Sequence, residues 1–163
     1  MPITVATRTS EKLAGQDLET WNSYLLASRL LFDKLDSSLS EEAGLSLPDF
    51  ILLFRLGSAG EDGMRMSELA DSAAFSRSRI SHAFRRLEDE GWVERRSCPT
   101  DRRGSFGALT DLGRAKLDEA EATHSEVVHR YFLDSMGDAE ESFRLVTDAM
   151  RFSLGANSGD PAC

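Results

Sequence analysis

The stretch Ser76-Arg77-Ser78-Arg79-Ile80-Ser81-His82-Ala83-Phe84-Arg85-Arg86-Leu87-Glu88-Asp89-Glu90-Gly91 carries the clearest structural signal in this chain. A serine at the start can accept from the first free amides of a helix, and Gly91 can take the left-handed backbone that ends one. The segment 77–90 is therefore a helix. At about 100° per residue, Ile80, Phe84 and Leu87 fall in one narrow arc and face a core. Ser78, His82, Arg85 and Asp89 point the opposite way, Arg79 and Arg86 flank them, and Ser81 borders the other side. Any amphipathic surface helix divides in this manner. What sharpens the reading is an outer face of Ser, His and Arg, which can hydrogen-bond base edges and phosphates.

On the N-terminal side, Met66 to Ala73 reads as a short helix, with Phe75 filling the turn after it. On the C-terminal side, residues 92–96 and 105–109 are strand-like. The turn between them, Ser97 to Gly104, contains Pro99 and makes the pair a hairpin. Short helix, turn, capped helix, hairpin is the order of a helix-turn-helix followed by a wing.

Farther out the chain is helical. Leu18, Trp21, Leu25, Phe32, Leu35 and Leu39 recur at 3/4 spacing, so Asp17 to Leu39 is a long helix. Tyr24, Ala27 and Leu31 widen its apolar face beyond what one neighbour covers. A second helix begins at Leu47-Pro48, with Ser46 as N-cap and Asp49 three residues on in a capping-box arrangement, and stops at Gly57. The glycine-rich 57–63 segment is a loop; no Lys-Ser/Thr comes after it and no strand precedes it, so a phosphate loop is rejected. Thr110 caps a long helix from Asp111 to about Leu133. A last helix, Asp138 to Leu154, aligns Ala139, Phe143, Val146 and Met150.

Composition narrows the class. A length of 163 residues suits one compact subunit, and 40% hydrophobic content is enough for a core. The longest apolar run, Phe50 to Phe54, is far short of the roughly 20 residues of a membrane span, and residues 1–10 hold no apolar signal segment. Two cysteines, Cys98 and Cys163, make no disulfide framework, which points to a reducing cytoplasm. Net charge is −9, yet between Arg77 and Arg103 eight arginines stand against five acids. An acidic body with one basic strip can hold that strip against DNA while repelling nonspecific contact elsewhere.

Met66-Ser67-Glu68-Leu69-Ala70, then Ser76-Arg77-Ser78, then Leu87 to Arg95 resemble MarR-family transcriptional regulators. Asp101-Arg102-Arg103-Gly104-Ser105-Phe106-Gly107-Ala108-Leu109-Thr110 is similar to that family's wing signature, and Gly113-Arg114 extends it. The resemblance implies a mainly α fold with a small β-hairpin wing, assembled as a homodimer. A winged helix-turn-helix lobe would span 46–110, a helical dimerisation region 15–45 and 111–154, and flexible termini 1–14 and 155–163. It further implies that Arg103 enters the minor groove while Asp101 orients it by an ion pair. Small, often aromatic or phenolic effectors would bind between the dimer helices and the DNA lobe.

The resulting expectation is a cytoplasmic, sequence-specific DNA-binding regulator of a pseudo-palindromic operator, a repressor relieved by a small effector. The DNA-contacting residues are then Arg77, Ser78, Arg79, Ser81, His82, Arg85, Arg86, Asp101, Arg102 and Arg103. Trp21, Tyr24, Phe50, Phe54 and His124 are candidates for an effector pocket, although the aromatics among them equally suit a core. His124 lies on the Leu117, Ala120, Val127, Tyr131 stripe, where a polar residue satisfied within a helix interface is the plainer reading. His82, His124 and His129 pair with no other His or Cys at helical spacing, so no metal or cofactor is expected. The first long helix lacks the cysteine of redox-sensing family members, and Cys98 reads as a passive surface thiol. A rival reading is a ligand-binding helical dimer that kept the fold without DNA binding. Acids on the docking face would favour it, and only Asp89 intrudes there. An enzyme would need a nucleophile–base pair or a metal set, and neither is visible.

Overall fold

The first two helices meet at a joint built from Gly44 and Ser46. Helix α1 (Gly15–Ala43) ends where Gly44 adopts φ 62° and its amide donates to Leu39 O. Helix α2 (Leu47–Ser58) begins shortly after, with the Ser46 hydroxyl accepting from Asp49 N at 3.3 Å. The computed structural model describes residues 12–61, 63–73, 77–97 and 105–155. Within them α1 extends beyond the 17–39 stripe at both ends, and α2 carries Gly57 inside it rather than stopping there.

Strand β1 (Met64–Arg65), helix α3 (Met66–Ser72) and helix α4 (Arg77–Asp89) come next. Gly91, at φ 74°, ends α4 as expected. Strands β2 (Val93–Ser97) and β3 (Ser105–Leu109) pair antiparallel, with Val93 opposite Leu109. The sheet has three strands in the order β1-β3-β2, one more than the expected hairpin. β1 is two residues long and abuts both a glycine loop and a helix, too little for alternation to reveal it.

Thr110 starts α5 (Asp111–Val128): its hydroxyl accepts from Gly113 N at 3.0 Å and donates to Gly91 O at 2.6 Å. One residue thereby caps α5 and ties it to the turn after α4. The helix continues through a π turn, His129–Leu133, where Asp134 N donates to His129 O. A short α6 (Asp134–Met136), a 3₁₀ turn and α7 (Glu140–Ser153) complete the described chain.

The core lies where the last third of α1, helices α2 to α4, the sheet and the first half of α5 converge. Leu39, Phe50, Leu53, Leu56, Ile80, Phe84, Leu87 and Leu117 are among its members. The outer two-thirds of α1 contributes almost nothing to it. Of the 17–39 stripe, Leu35 and Leu39 are buried, whereas Trp21, Leu25 and Phe32 stay about half exposed. Val146 and Met150 of α7 are exposed as well. A single protomer thus leaves two long apolar faces uncovered, well beyond the scattered apolar residues of an ordinary surface.

Candidate nucleic-acid interface

Ile80, Phe84 and Leu87 anchor α4, each at most 1% exposed. That anchoring fixes the helix's rotation and turns Ser78, Arg79, Ser81, His82, Arg85 and Arg86 outward, all exposed. Gly107 on β3 lets the sheet lie close against α4: a Cβ there would stand 2.5 Å from Phe84 Cε2 and 2.9 Å from Cζ. The inner side of α4 therefore packs directly on the described part of the wing.

Not every arginine of the basic strip is presented in the same way. Arg95 stacks on the Phe84 ring, with Cζ 5.0 Å from its centroid, and stands 3.4 Å from Glu88. Arg96 donates to Glu61 O at 2.5 Å and pairs with Glu94 at 2.8 Å. Arg86 pairs with Asp49, which is buried at the start of α2. These three guanidiniums stitch the lobe together, so the local positive excess overstates the charge available to a partner. Sequence reasoning placed Asp49 in the helix cap alone. Its carboxylate instead accepts from the Ser46 hydroxyl at 2.7 Å and turns to Arg86, a partner 37 positions away that no local pattern reveals.

An open groove of about 360 Å³ runs between the first turn of α2 and α4. Ser46 and Pro48 line one side, with Ser78, Arg79, His82, Ala83 and Arg86 on the other. Arg77 is the first residue of α4. Asp101, Arg102 and Arg103 of the wing turn, together with Cys98 and the Ser76 cap, lie outside the described residues.

The five effector-pocket candidates fall into two separate groups. Trp21 and Tyr24 have ring centroids 6.2 Å apart on the exposed part of α1. They line an open cleft of about 890 Å³ with Leu13, Val146 and Met150. Phe50 is instead a core residue, because it lies on the inner side of α2 facing α5. It stacks on His124 at 4.5 Å and lies 5.9 Å from Phe54. Burial holds the His124 imidazole below its ordinary pKa of 6.5. Leu117, Ala120 and Val127 of its stripe are buried, but Tyr131, inside the π turn, is about half exposed. Among the described residues no cluster of His, Cys, Asp and Glu could hold a metal ion, and no helix is long and apolar enough to cross a membrane.

A model of the MarR family matches residues 43–104, from the end of α1 to the wing turn. Along most of its length the chain is similar to Sco3205 from Streptomyces coelicolor, a MarR family transcriptional regulator whose crystal structure is in complex with DNA. Identity is 35% and the TM-score 0.85, with 91% of this chain and 97% of that one covered. It is similar too to AbsC, another MarR family transcriptional regulator of Streptomyces coelicolor, at 30% identity, TM-score 0.77 and coverage of 87% and 99%. A curated relative, the HTH-type transcriptional repressor Rv2887 of Mycobacterium tuberculosis, is 35% identical over 79 residues, 48% of this chain. The match covers 55% of that relative, so the chain spans about half of its length.

Proposed function

The chain belongs to the MarR family, and from that premise we propose that it is a non-enzymatic, sequence-specific DNA-binding regulator acting in the cytoplasm as a homodimer. The observation that carries this reading is the outer face of α4. Ser78, Arg79, Ser81, His82 and Arg85 all project from a helix whose rotation is locked by Ile80, Phe84 and Leu87. Such a face offers donors and acceptors to base edges, while arginines supply phosphate contacts. The uncovered apolar faces of α1 and α7 support a second copy as the partner that buries them. In this reading residues 46–110 are the DNA-binding lobe, and 15–45 with 111–154 form the dimerisation region.

Repression relieved by a small effector completes the proposal. It is supported by the aromatic cleft at Trp21 and Tyr24, which joins the two dimerisation helices. An effector seated there would change the spacing of the two α4 helices, and mismatch with half-sites about one helical turn apart would release DNA. In the wing, Arg103 would reach the minor groove with Asp101 orienting it.

The experiment is enrichment of duplexes from a random-sequence library by the wild-type protein, followed by affinity measurements at matched salt. His82→Ala and Arg85→Ala should each reduce discrimination against random DNA by about 1–3 kcal/mol, the usual size of one lost base contact. Asp101→Ala should weaken binding although it makes the wing more positive, and Arg103→Ala should cost more than Arg102→Ala. No enrichment of any sequence, or unaltered discrimination in both α4 variants, would refute the reading.

A further inference from the structure

A line of polar contacts crosses from α1 to α4 through the first turn of α2. Asp36 Oδ1 accepts from Leu47 N at 2.7 Å. The Ser46 hydroxyl donates to Asp49 Oδ2 at 2.7 Å, and Asp49 Oδ1 takes Nη2 of Arg86. The cap of α2 requires only Ser46, whose oxygen accepts from Asp49 N. The Asp49 carboxylate is thus spare for another task, yet its side chain is only 9% exposed. A charge is kept in such a place when its partners offset the lost hydration, and here both oxygens are engaged.

We infer that Asp49 is a positioning residue for DNA recognition, holding the outer face of α4 at a set angle to α1 and α2 through Arg86. This rests on the DNA-binding reading above. Arg86 then acts as a strut and not as a phosphate contact. Its guanidinium already has a carboxylate against it, and moving to a phosphate would strand a buried charge. Ser78, Arg79 and His82 share the groove with Arg86, so its width is set by the strut. Asp36 anchors the same turn to the dimerisation helix, which makes α2's first residues the joint between assembly and recognition.

The test uses the full chain, a duplex enriched by the wild-type protein and an unrelated duplex of equal length, each titrated across a salt series. Asp49→Asn, Arg86→Ala and the double variant are compared, with thermal unfolding followed in parallel. Asp49→Asn should weaken binding to the enriched duplex by about tenfold, within the usual range for coupled neighbours, although it removes a negative charge beside the DNA-facing helix. The double variant should lose no more than either single one. Arg86→Ala should keep the wild-type salt slope, because no phosphate contact disappears. A merely structural role would lower thermal stability and leave the preference for the enriched duplex intact, which overturns the inference. Unchanged or tighter binding by Asp49→Asn also overturns it, as does a salt slope shallower by about 0.9 in Arg86→Ala, the mark of one lost phosphate contact. The double variant leaves neither charge unpaired and gives the same readings if a single variant does not fold. Failure of the wild type to enrich any duplex removes the DNA-binding reading and this inference together; a wild type that enriches one isolates the strut.

Discussion

Replacing Gly113 by alanine sets two effects of opposite sign against each other. Gly113 lies in the first turn of α5, where alanine gains up to about 1 kcal/mol in helix propensity. A Cβ at that position, however, would overlap the Trp92 carbonyl oxygen and sit 2.7 Å from the carbonyl carbon and 3.1 Å from Cα. That backbone cannot retreat cheaply. Trp92 O accepts from Thr110 N at 3.1 Å, and Trp92 N donates to Leu87 O at 3.0 Å. Moving α5 away would also break the Thr110 link to Gly91. Overpacking against a fixed wall typically costs about 1–3 kcal/mol, and a backbone overlap belongs at the upper end. Subtracting the propensity gain leaves a net loss of about 2 kcal/mol for Gly113→Ala. Gly57→Ala provides the control, since that glycine is also helical. Its added methyl would meet the end of the Leu117 side chain at 2.5 Å and Leu109 Cδ1 at 3.5 Å. Side-chain ends can rotate, so the two terms nearly cancel and the change should stay within about 1 kcal/mol. Urea unfolding followed by tryptophan fluorescence, at one fixed protein concentration because assembly shifts apparent stability, reads both variants. Gly113→Ala at or above wild-type stability, or Gly57→Ala the more damaging of the two, would refute the reasoning.

Thr110→Val keeps the side-chain shape but loses both hydroxyl contacts; unfolding should report a loss of about 1–2 kcal/mol, and an unchanged midpoint would dismiss the cap. Because His124 titrates below 6.5 in the folded chain, the unfolded chain takes up its proton first as pH falls. The stabilisation from neutral His124 is therefore complete above 6.5 and declines as pH drops through that value, so His124→Phe should flatten stability between about pH 7.5 and 5.5. Parallel curves for variant and wild type would contradict this. Leu26→Glu, on the exposed part of α1, should drive sedimentation at micromolar concentration from dimer towards monomer or loss of fold. A wild-type protein that sediments as a stable folded 18 kDa species would end the dimer proposal.

Much of this architecture was legible because its signals are local. The 3/4 spacing of Ile80, Phe84 and Leu87 fixed the rotation of α4, and Gly91 and Thr110 marked its end and the next helix's start. Long-range pairings were not legible. Nothing in Met64–Arg65 announces a strand, because its partners Gly107 and Phe106 lie some forty positions away. Asp49 carried a faint signal, an acid among apolar neighbours, but local spacing accounted for it as a cap and hid its tie to Arg86. The effector candidates split between a surface cleft and the core for a related reason. Phe50 opens an unbroken apolar run, so periodicity tells neither which way it faces nor whether the inside is a cavity or a packed core. The charge count had the same blind spot, since Arg95 and Arg96 count as basic residues whether they face solvent or brace β2.

The π turn at His129–Leu133 gives the end of the chain its phase. Such a turn spends one residue more than an α-helix needs, and each helical residue rotates the next one by roughly 100° about the axis. Phe132, inside that turn, stands edge-on to Phe143 of α7, centroids 5.5 Å apart. Deleting one residue there would let the helix rewind with every local hydrogen bond satisfied, so secondary structure alone would register little. The cost would fall on shape: α7 would leave in a different direction and offer its apolar side to nothing. Related chains that diverge by single-residue gaps in this segment should therefore differ in how their protomers interlock, even where their recognition helices read alike.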